Sequence, residues 1–423
     1  MQRPSPVGRG RSVLICGAGI AGPTLAYWLA EGGFQPTLVE RASELRASGY
    51  MLDFWGVGFE VAERMGVLPE VRERGYLIDS VRFVDSSGST RSELHGSTIR
   101  RALGDRFVSI PRGELARIVF EAARTRAEVL FDDSVSAVEE DEAGLDVRLE
   151  RGGERRFDLL VGADGLHSAL RSLVLGSDPR WLRYLGYCAA SFATSGYRSR
   201  DERAYVSYAA PGRQISRYAL RDGSTAFLFV FRAPEPISAH GGKLETDKRI
   251  LRSEFSRCPW IEVPEILARL EETKDLYYDG VTQLWLPEWS RGRTVFVGDA
   301  AFCPSLLAGE GAGLAMAGAY VLAGELGRAG GDHHAAFARY ERTLRPFVER
   351  KQRAARAFAS SFAPGTRLGL RVRDLAVHLI NTPLLGRWLT RRMFADGLAL
   401  PEYGTARAAS PVPDDDLAAE GSS

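Results

Sequence analysis

The chain has 423 residues and 45% hydrophobic content, enough for two or three domains with large buried cores. Its 55 basic and 54 acidic residues leave a net charge of +1, which excludes a nucleic-acid binder held by a global positive field and favours a small-molecule partner. Cys16, Cys188, Cys258 and Cys303 have neither metal-ligand nor disulfide-framework spacing, no apolar run approaches the ~20 residues of a membrane span, and Arg3-Pro4-Ser5-Pro6 lacks a signal-peptide core, so a reduced, cytoplasmic protein without a transmembrane segment is expected.

After a polar, Pro-bearing start, Ser12-Val13-Leu14-Ile15-Cys16 predicts a strand and Gly22 to Glu31 a helix ended by Gly32-Gly33. Gln35 to Glu40 resumes a strand, which completes a β-α-β unit around Gly17-Ala18-Gly19-Ile20-Ala21-Gly22. In such a unit Gly17 permits the tight turn, Gly19 lets the backbone approach a pyrophosphate at the helix N-terminus, and Gly22 lets helix and strand pack closely. Glu40, about 20 residues on at a strand end, suits the two ribose hydroxyls of an adenosine. This fragment specifies an adenine dinucleotide and leaves FAD and NAD open.

A second apolar strand, Phe157 to Ala163, ends at Asp164-Gly165 and runs into Leu166-His167-Ser168-Ala169-Leu170-Arg171. With Asp164, Gly165, Ser168 and Arg171 matching D-G-x-x-S-x-x-R, the chain resembles the flavin-dependent aromatic hydroxylases, the single-component monooxygenases related to para-hydroxybenzoate hydroxylase. The resemblance implies that this motif serves both FAD and NAD(P)H. It also draws Arg46, in the segment after Glu40 and Arg41, and Arg112, in Arg112-Gly113-Glu114-Leu115, toward the cofactor.

Between residues 184 and 283 strand-like runs recur, among them Tyr205 to Tyr208, Arg217 to Leu220 and Thr225 to Phe231. Phe227, Phe229 and Phe231 alternate onto one face, and a plain core is favoured over substrate contact. Arg293 to Val297 predicts a third strand, followed by Gly298-Asp299-Ala300-Ala301 and by Gly309-Glu310-Gly311-Ala312-Gly313. The resemblance gives Asp299 the ribityl chain, a fit for a carboxylate that accepts from several hydroxyls. Gly309, Gly311 and Ala312 would bring the N-terminus of the next helix to the flavin ring, where it stabilises the negative charge of the reduced form. Many family members have His after G-D-A-A and then a Pro pair, whereas this chain has Phe302-Cys303-Pro304-Ser305-Leu306, so a differently shaped flavin-facing loop is expected.

His333 to Phe362 and Leu368 to Phe394 predict helices, the second interrupted at Pro383. In the second, Val372, Leu375, Ala376, Leu379 and Ile380 form one apolar face, expected to pack on its own protein. His333-His334 lacks acidic or Cys partners at ligand spacing, so no metal is expected.

The fold class that follows is α/β: a discontinuous Rossmann-like FAD-binding domain (residues 1-76, 106-183 and 284-350), an inserted β-sheet substrate domain (77-105 and 184-283), a C-terminal helical segment (351-405) and a disordered tail (406-423). The resemblance implies an NADH- or NADPH-driven monooxygenase that hydroxylates an aromatic or polyketide-like small molecule with O2 through a flavin C4a-hydroperoxide. It selects no catalytic base. A second G-x-G-x-x-G unit is absent, which disfavours an enzyme with two dinucleotide domains. Trp285-Leu286-Pro287-Glu288-Trp289 fails the W-x-W-x-x-I-P pattern of flavin halogenases. A reductase or dehydrogenase of the same fold, or a redox-inactive ligand-binding flavoprotein, are the alternatives.

Overall fold

The computed structural model describes residues 10–45, 50–197, 201, 203–235, 244–382 and 397–403. The predicted tail 406-423 and the residues from Pro383 to Phe394 lie outside them.

Three strands, Ser12–Cys16, Gln35–Glu40 and Leu159–Gly162, pair in parallel at the centre of a six-stranded sheet. Glu128–Phe131 and Thr294–Phe296 extend it in parallel, and Ser290–Arg291 adds an antiparallel edge. Covered on both faces, its central strands are uniformly apolar rather than alternating, and Val13, Leu14, Ile15, Leu159, Leu160 and Val161 are fully buried. The register puts Cys16 beside both Val39 and Gly162, so the first and second motifs leave the sheet side by side at the strand carboxyl ends. Thr294–Phe296, which precedes the third motif, pairs with Leu159–Gly162 on the far side.

A seven-stranded sheet forms the other layer, in the order Tyr277–Leu284, Leu182–Thr194, Thr225–Arg232, Arg213–Ala219, Ala204–Ala210, Ser80–Val84, Thr90–His95. Ser80–Val84 joins Ala204–Ala210 in parallel, so the two separated stretches of the expected substrate domain build one sheet. Phe227, Phe229 and Phe231 are buried in a core with Phe192, Phe255 and Trp260, so the alternating triplet is core. The opposite face, with Ala189, Val230 and Val281, packs on Leu307. A two-stranded ribbon, Met51–Trp55 with Phe107–Pro111, and a three-stranded sheet, Val135–Glu140, Leu145–Leu149 and Glu154–Phe157, complete the strand set described.

Helix Gly311–Arg328 is almost wholly buried and its small residues permit close packing. A Cβ on Gly58 of helix Gly56–Arg64 would lie 2.4 Å from Gly313 Cα, a contact only glycine allows. Helix His333–Phe362 continues past residue 350 with Pro346 inside it. Helix Arg367–Ile380 corrects an expectation: Leu370 and Val377 are buried, whereas Val372, Leu375 and Leu379 are exposed. The helix turns the edge with Arg373 and Asp374 toward strand Thr90–His95, where Ser92 Oγ lies 3.2 Å from Asp374 Oδ1. Polar pairing at that sheet edge outweighed the wider apolar stripe.

Candidate functional site

The glycines of the first motif do three different things. Gly17 has φ of +107°, and a Cβ there would lie 2.6 Å from the Ala163 carbonyl oxygen, so the turn also seats the second motif. A Cβ on Gly22 would lie 2.0 Å from the Gly17 carbonyl oxygen, which locks the helix start against the turn. Around Gly19 the nearest atom to such a Cβ is Arg112 Nη2 at 4.0 Å, so this edge of the backbone faces open space. Glu40 is held ready at the strand end: Ala18 N donates to Oε2 at 2.9 Å and Ala42 N to Oε1 at 3.0 Å. Each oxygen keeps a lone pair for a hydroxyl.

Asp164 and Ser168 cap helix Ala169–Leu175. Leu170 N donates to Asp164 Oδ2 at 3.2 Å and Arg171 N to Ser168 Oγ at 2.9 Å. Asp164 Oδ1 is buried without a hydrogen-bond partner among the described residues, at the wall of a cleft. A cap alone leaves that oxygen costly; a ligand hydroxyl or amide in the cleft would satisfy it. Arg171 departs from its expected place. Its side chain turns away from the cleft and donates to the Ala300 carbonyl at 3.1 Å and the Leu166 carbonyl at 2.6 Å, tying the second motif to the third.

The cleft encloses about 1470 Å³ including its open mouth. Gly17, Gly19, Glu40, Arg41, Arg112, Asp164, Gly165, Asp299, Gly311 and Ala312 line it, so ten of the predicted cofactor residues converge from six segments. Gly22 and Gly298 lie behind the wall as packing positions: Gly298, with φ of +62°, would put a Cβ 3.0 Å from that of Ala21. Arg46 lies outside the described residues. Burial pushes the Asp299 carboxyl up, and the Arg112 guanidinium and the Cys303 thiol pull it back down.

A second cavity adjoins the first and shares Tyr50, Leu52, Asp299 and Gly311 with it. Gly309 lies here, with Tyr277, Asp279, Ser305 and Leu306. The Tyr50 and Tyr277 rings stand 5.4 Å apart, and burial pushes both phenols up, so they remain hydrogen-bond donors. At the junction His167 Nε2 lies 3.1 Å from Asp279 Oδ2, a contact between the second motif and the seven-stranded sheet, and that carboxylate raises the imidazole pKa. Sequence reasoning missed Tyr50, Tyr277, Asp279 and the role of His167. Only His167 carried a local signal, its place inside the second motif.

The Phe302-Leu306 departure has a physical account. Phe302 points into the core with its ring 4.6 Å from Trp289, away from the cleft, so its identity does not reshape the cofactor side. Gln283 Nε2 donates to the Pro304 carbonyl at 2.9 Å and Gln352 Nε2 to that of Cys303 at 3.2 Å, fixing the loop. Ser305 then adopts φ of +107°, a left-handed backbone that costs a non-glycine residue ~1–3 kcal/mol, at the wall of the second cavity.

An elongated cleft with a ribose-accepting acid at one end, backbone open at Gly19, an unpartnered acid midway and a helix start at the other end fits FAD. The chain matches the FAD binding domain family model over residues 11–355. It belongs to this FAD-dependent monooxygenase family. A flavin-dependent monooxygenase of Legionella longbeachae is 32% identical to the enzyme over 394 residues, covering 92% of this chain and 98% of that one. The flavin-dependent monooxygenase eupH of Phoma sp. is 32% identical over 390 residues, covering 85% and 89%. Among solved structures, tetracycline destructase Tet(55) superposes with a TM-score of 0.78 at 31% identity, covering 93% of this chain and 99% of its own. Klebsiella pneumoniae HpxO with FAD and uric acid shares the fold at 23% identity and a TM-score of 0.72, covering 90% and 97%. The monooxygenase binds FAD and acts on a small molecule with O2. Among the described residues no helix is long and apolar enough to cross a membrane, and no group of three or more His, Cys, Asp or Glu could hold a metal ion.

Proposed function

We propose that this monooxygenase uses NADH or NADPH with O2 to hydroxylate an aromatic or polyketide-like small molecule held in the second cavity. The observation that carries the proposal is the junction of the two cavities at Asp299 and Gly311, with Tyr50 and Tyr277 on the substrate side. The contacting Tyr50 and Tyr277 rings give this cavity an aromatic lining that suits an aromatic ligand, and protonated phenols can donate to its oxygens. FAD, when bound, supplies the hydride and oxygen chemistry. The chain's own task is placement. Glu40 and Arg41 take the adenosine end, Asp164 and Arg112 the middle, Asp299 the ribityl chain, and Gly311 and Ala312 the ring. The His167–Asp279 contact closes one side of the junction, which limits water entry. The boundaries 1-76, 106-183 and 284-350 against 77-105 and 184-283 assign cofactor and substrate duties to the two sheets.

The test is NAD(P)H oxidation and O2 uptake by the holoprotein against phenols and polycyclic aromatic polyketides, tetracycline included because two similar structures are tetracycline destructases. H2O2 is measured in parallel. Substrate-stimulated oxidation with an oxygenated product supports the proposal; tightly held FAD with no reduction under any substrate contradicts it.

A further inference from the structure

Helix Gly311–Arg328 presents Gly311 and Ala312 to the FAD cleft, and its N-cap residue is an acid, Glu310. A helix N-terminus carries roughly half a positive charge, and a carboxylate at its mouth opposes that potential. Here the acid is answered by Lys351 of helix His333–Phe362, whose Nζ lies 2.8 Å from Glu310 Oε2. The pair is shielded: the Lys351 side chain is 12% exposed and that of Glu310 21%. The ammonium also lies 5.0 Å from the Trp55 ring centroid and 5.3 Å from that of Phe347, so groups from three separate elements hold it. Shielded charges are little screened by salt. Glu310 and Asp53 line the same small recess behind Ala312 and Gly313, and Asp53 accepts from Ser109 Oγ at 2.6 Å. On the cleft side Asp299 and Arg112 stand among further charged groups, Glu40, Arg41, Glu44, Asp133 and Asp164, and Asp279 lines the adjoining cavity with Asp299 and Gly311.

We propose that Lys351 is a positioning and charge-compensating residue for flavin reduction: by neutralising Glu310 it keeps the start of helix Gly311–Arg328 electropositive toward the ring and thereby sets the reduction potential of bound FAD. The proposal rests on the reading that places the ring at Gly311 and Ala312. Hydride transfer from NADH or NADPH carries two electrons and one proton to the ring, oxidises the nicotinamide to its cation, and leaves one negative charge on the ring. A Glu310 carboxylate nearby without the compensating Lys351 charge would disfavour that charge.

The experiment compares wild type, K351M, E310Q and the double variant as holoproteins, measuring FAD content and then midpoint potential by equilibration with a redox dye. K351M is expected to move the reduction equilibrium about tenfold toward oxidised FAD, ~30 mV lower for a two-electron couple. Adding E310Q should bring it back to within about threefold of wild type, the signature of coupled charges rather than of lost packing. Full FAD content with an unchanged potential in K351M overturns the proposal, as does a fall that E310Q fails to reverse. If K351M does not fold or hold FAD, E310Q alone decides: the equilibrium must move toward reduced FAD, and no movement overturns the proposal. Wild-type protein that holds no FAD would fail the cofactor reading instead, a separate outcome.

Discussion

Three glycines in one turn give the sharpest separation of folding from binding. At Gly22 an added methyl would lie 2.0 Å from the Gly17 carbonyl oxygen and 3.3 Å from Leu38 Cδ2, with backbone on the near side, so the helix itself must shift. At Gly17 the methyl would meet Ala163 at 2.6 Å, and φ of +107° adds left-handed strain. Overpacking costs ~1–3 kcal/mol at either position and the left-handed backbone a further ~1–2 kcal/mol at Gly17 alone, so unfolding free energy should fall by about 1–3 kcal/mol in Gly22→Ala and about 2–5 kcal/mol in Gly17→Ala. Gly19→Ala meets only Arg112 Nη2 at 4.0 Å. Its flavin-free form should match wild type to within about 0.5 kcal/mol. Its methyl fills the space where the pyrophosphate approaches, and FAD affinity should fall at least about tenfold, ~1.4 kcal/mol. Denaturant unfolding of flavin-free protein and fluorescence titration with FAD measure the two quantities. Gly19→Ala that binds FAD like wild type, or unfolds as readily as Gly22→Ala, would refute this division of roles.

Asp299→Ala removes a carboxyl that burial pushes up, so the protein should unfold no more easily while retaining less FAD after gel filtration; unchanged flavin content contradicts the ribityl assignment. His167 is raised by Asp279, so the pair stabilises the fold fully below the ordinary imidazole pKa near 6.5 and loses that contribution as pH rises through the raised value. Because the His167 side chain is 58% exposed, the effect should be only ~0.2–1 kcal/mol, seen as a gap in melting temperature between wild type and His167→Gln that closes toward alkaline pH. His333 is held down to about 4, chiefly by burial, so acid should destabilise the fold progressively below pH ~6.5, and His333→Gln should flatten that acid limb in a pH series of melting curves. Phe302→Ala should cost about 3–5 kcal/mol in denaturant unfolding, since the ring is 2% exposed against Trp289; a surface-like cost would contradict its core placement.

The convergence of the three motifs on one cleft was legible because their signals are local. Each motif follows a short apolar strand, and parallel pairing of those strands brings Gly17, Asp164 and Asp299 to one sheet end. Arg171 does not line the cleft, because a motif names a residue without its direction and two carbonyls within reach turned it inward. The second cavity was not legible in this way: Tyr50, Tyr277 and Asp279 meet only through the docking of two sheets, and nothing in their own neighbourhoods marks them. The same holds for the Lys351–Glu310 pair, 41 residues apart in sequence and joined by helix packing. Helix Arg367–Ile380 shows the opposite failure. Its apolar periodicity was real, but the sheet edge offered Ser92 and Arg91 to Asp374, and polar pairing chose the buried face.

The central claim is oxygen transfer by bound FAD, and isotope labelling addresses it most directly. Holoprotein is given NADH or NADPH, the best substrate of the aromatic panel and dioxygen carrying the heavy oxygen isotope, and the product is weighed by mass spectrometry. The account predicts one labelled oxygen per product molecule, with H2O2 a minor product. Label entering from water instead, or substrate returned unchanged while all consumed oxygen appears as H2O2, would contradict it.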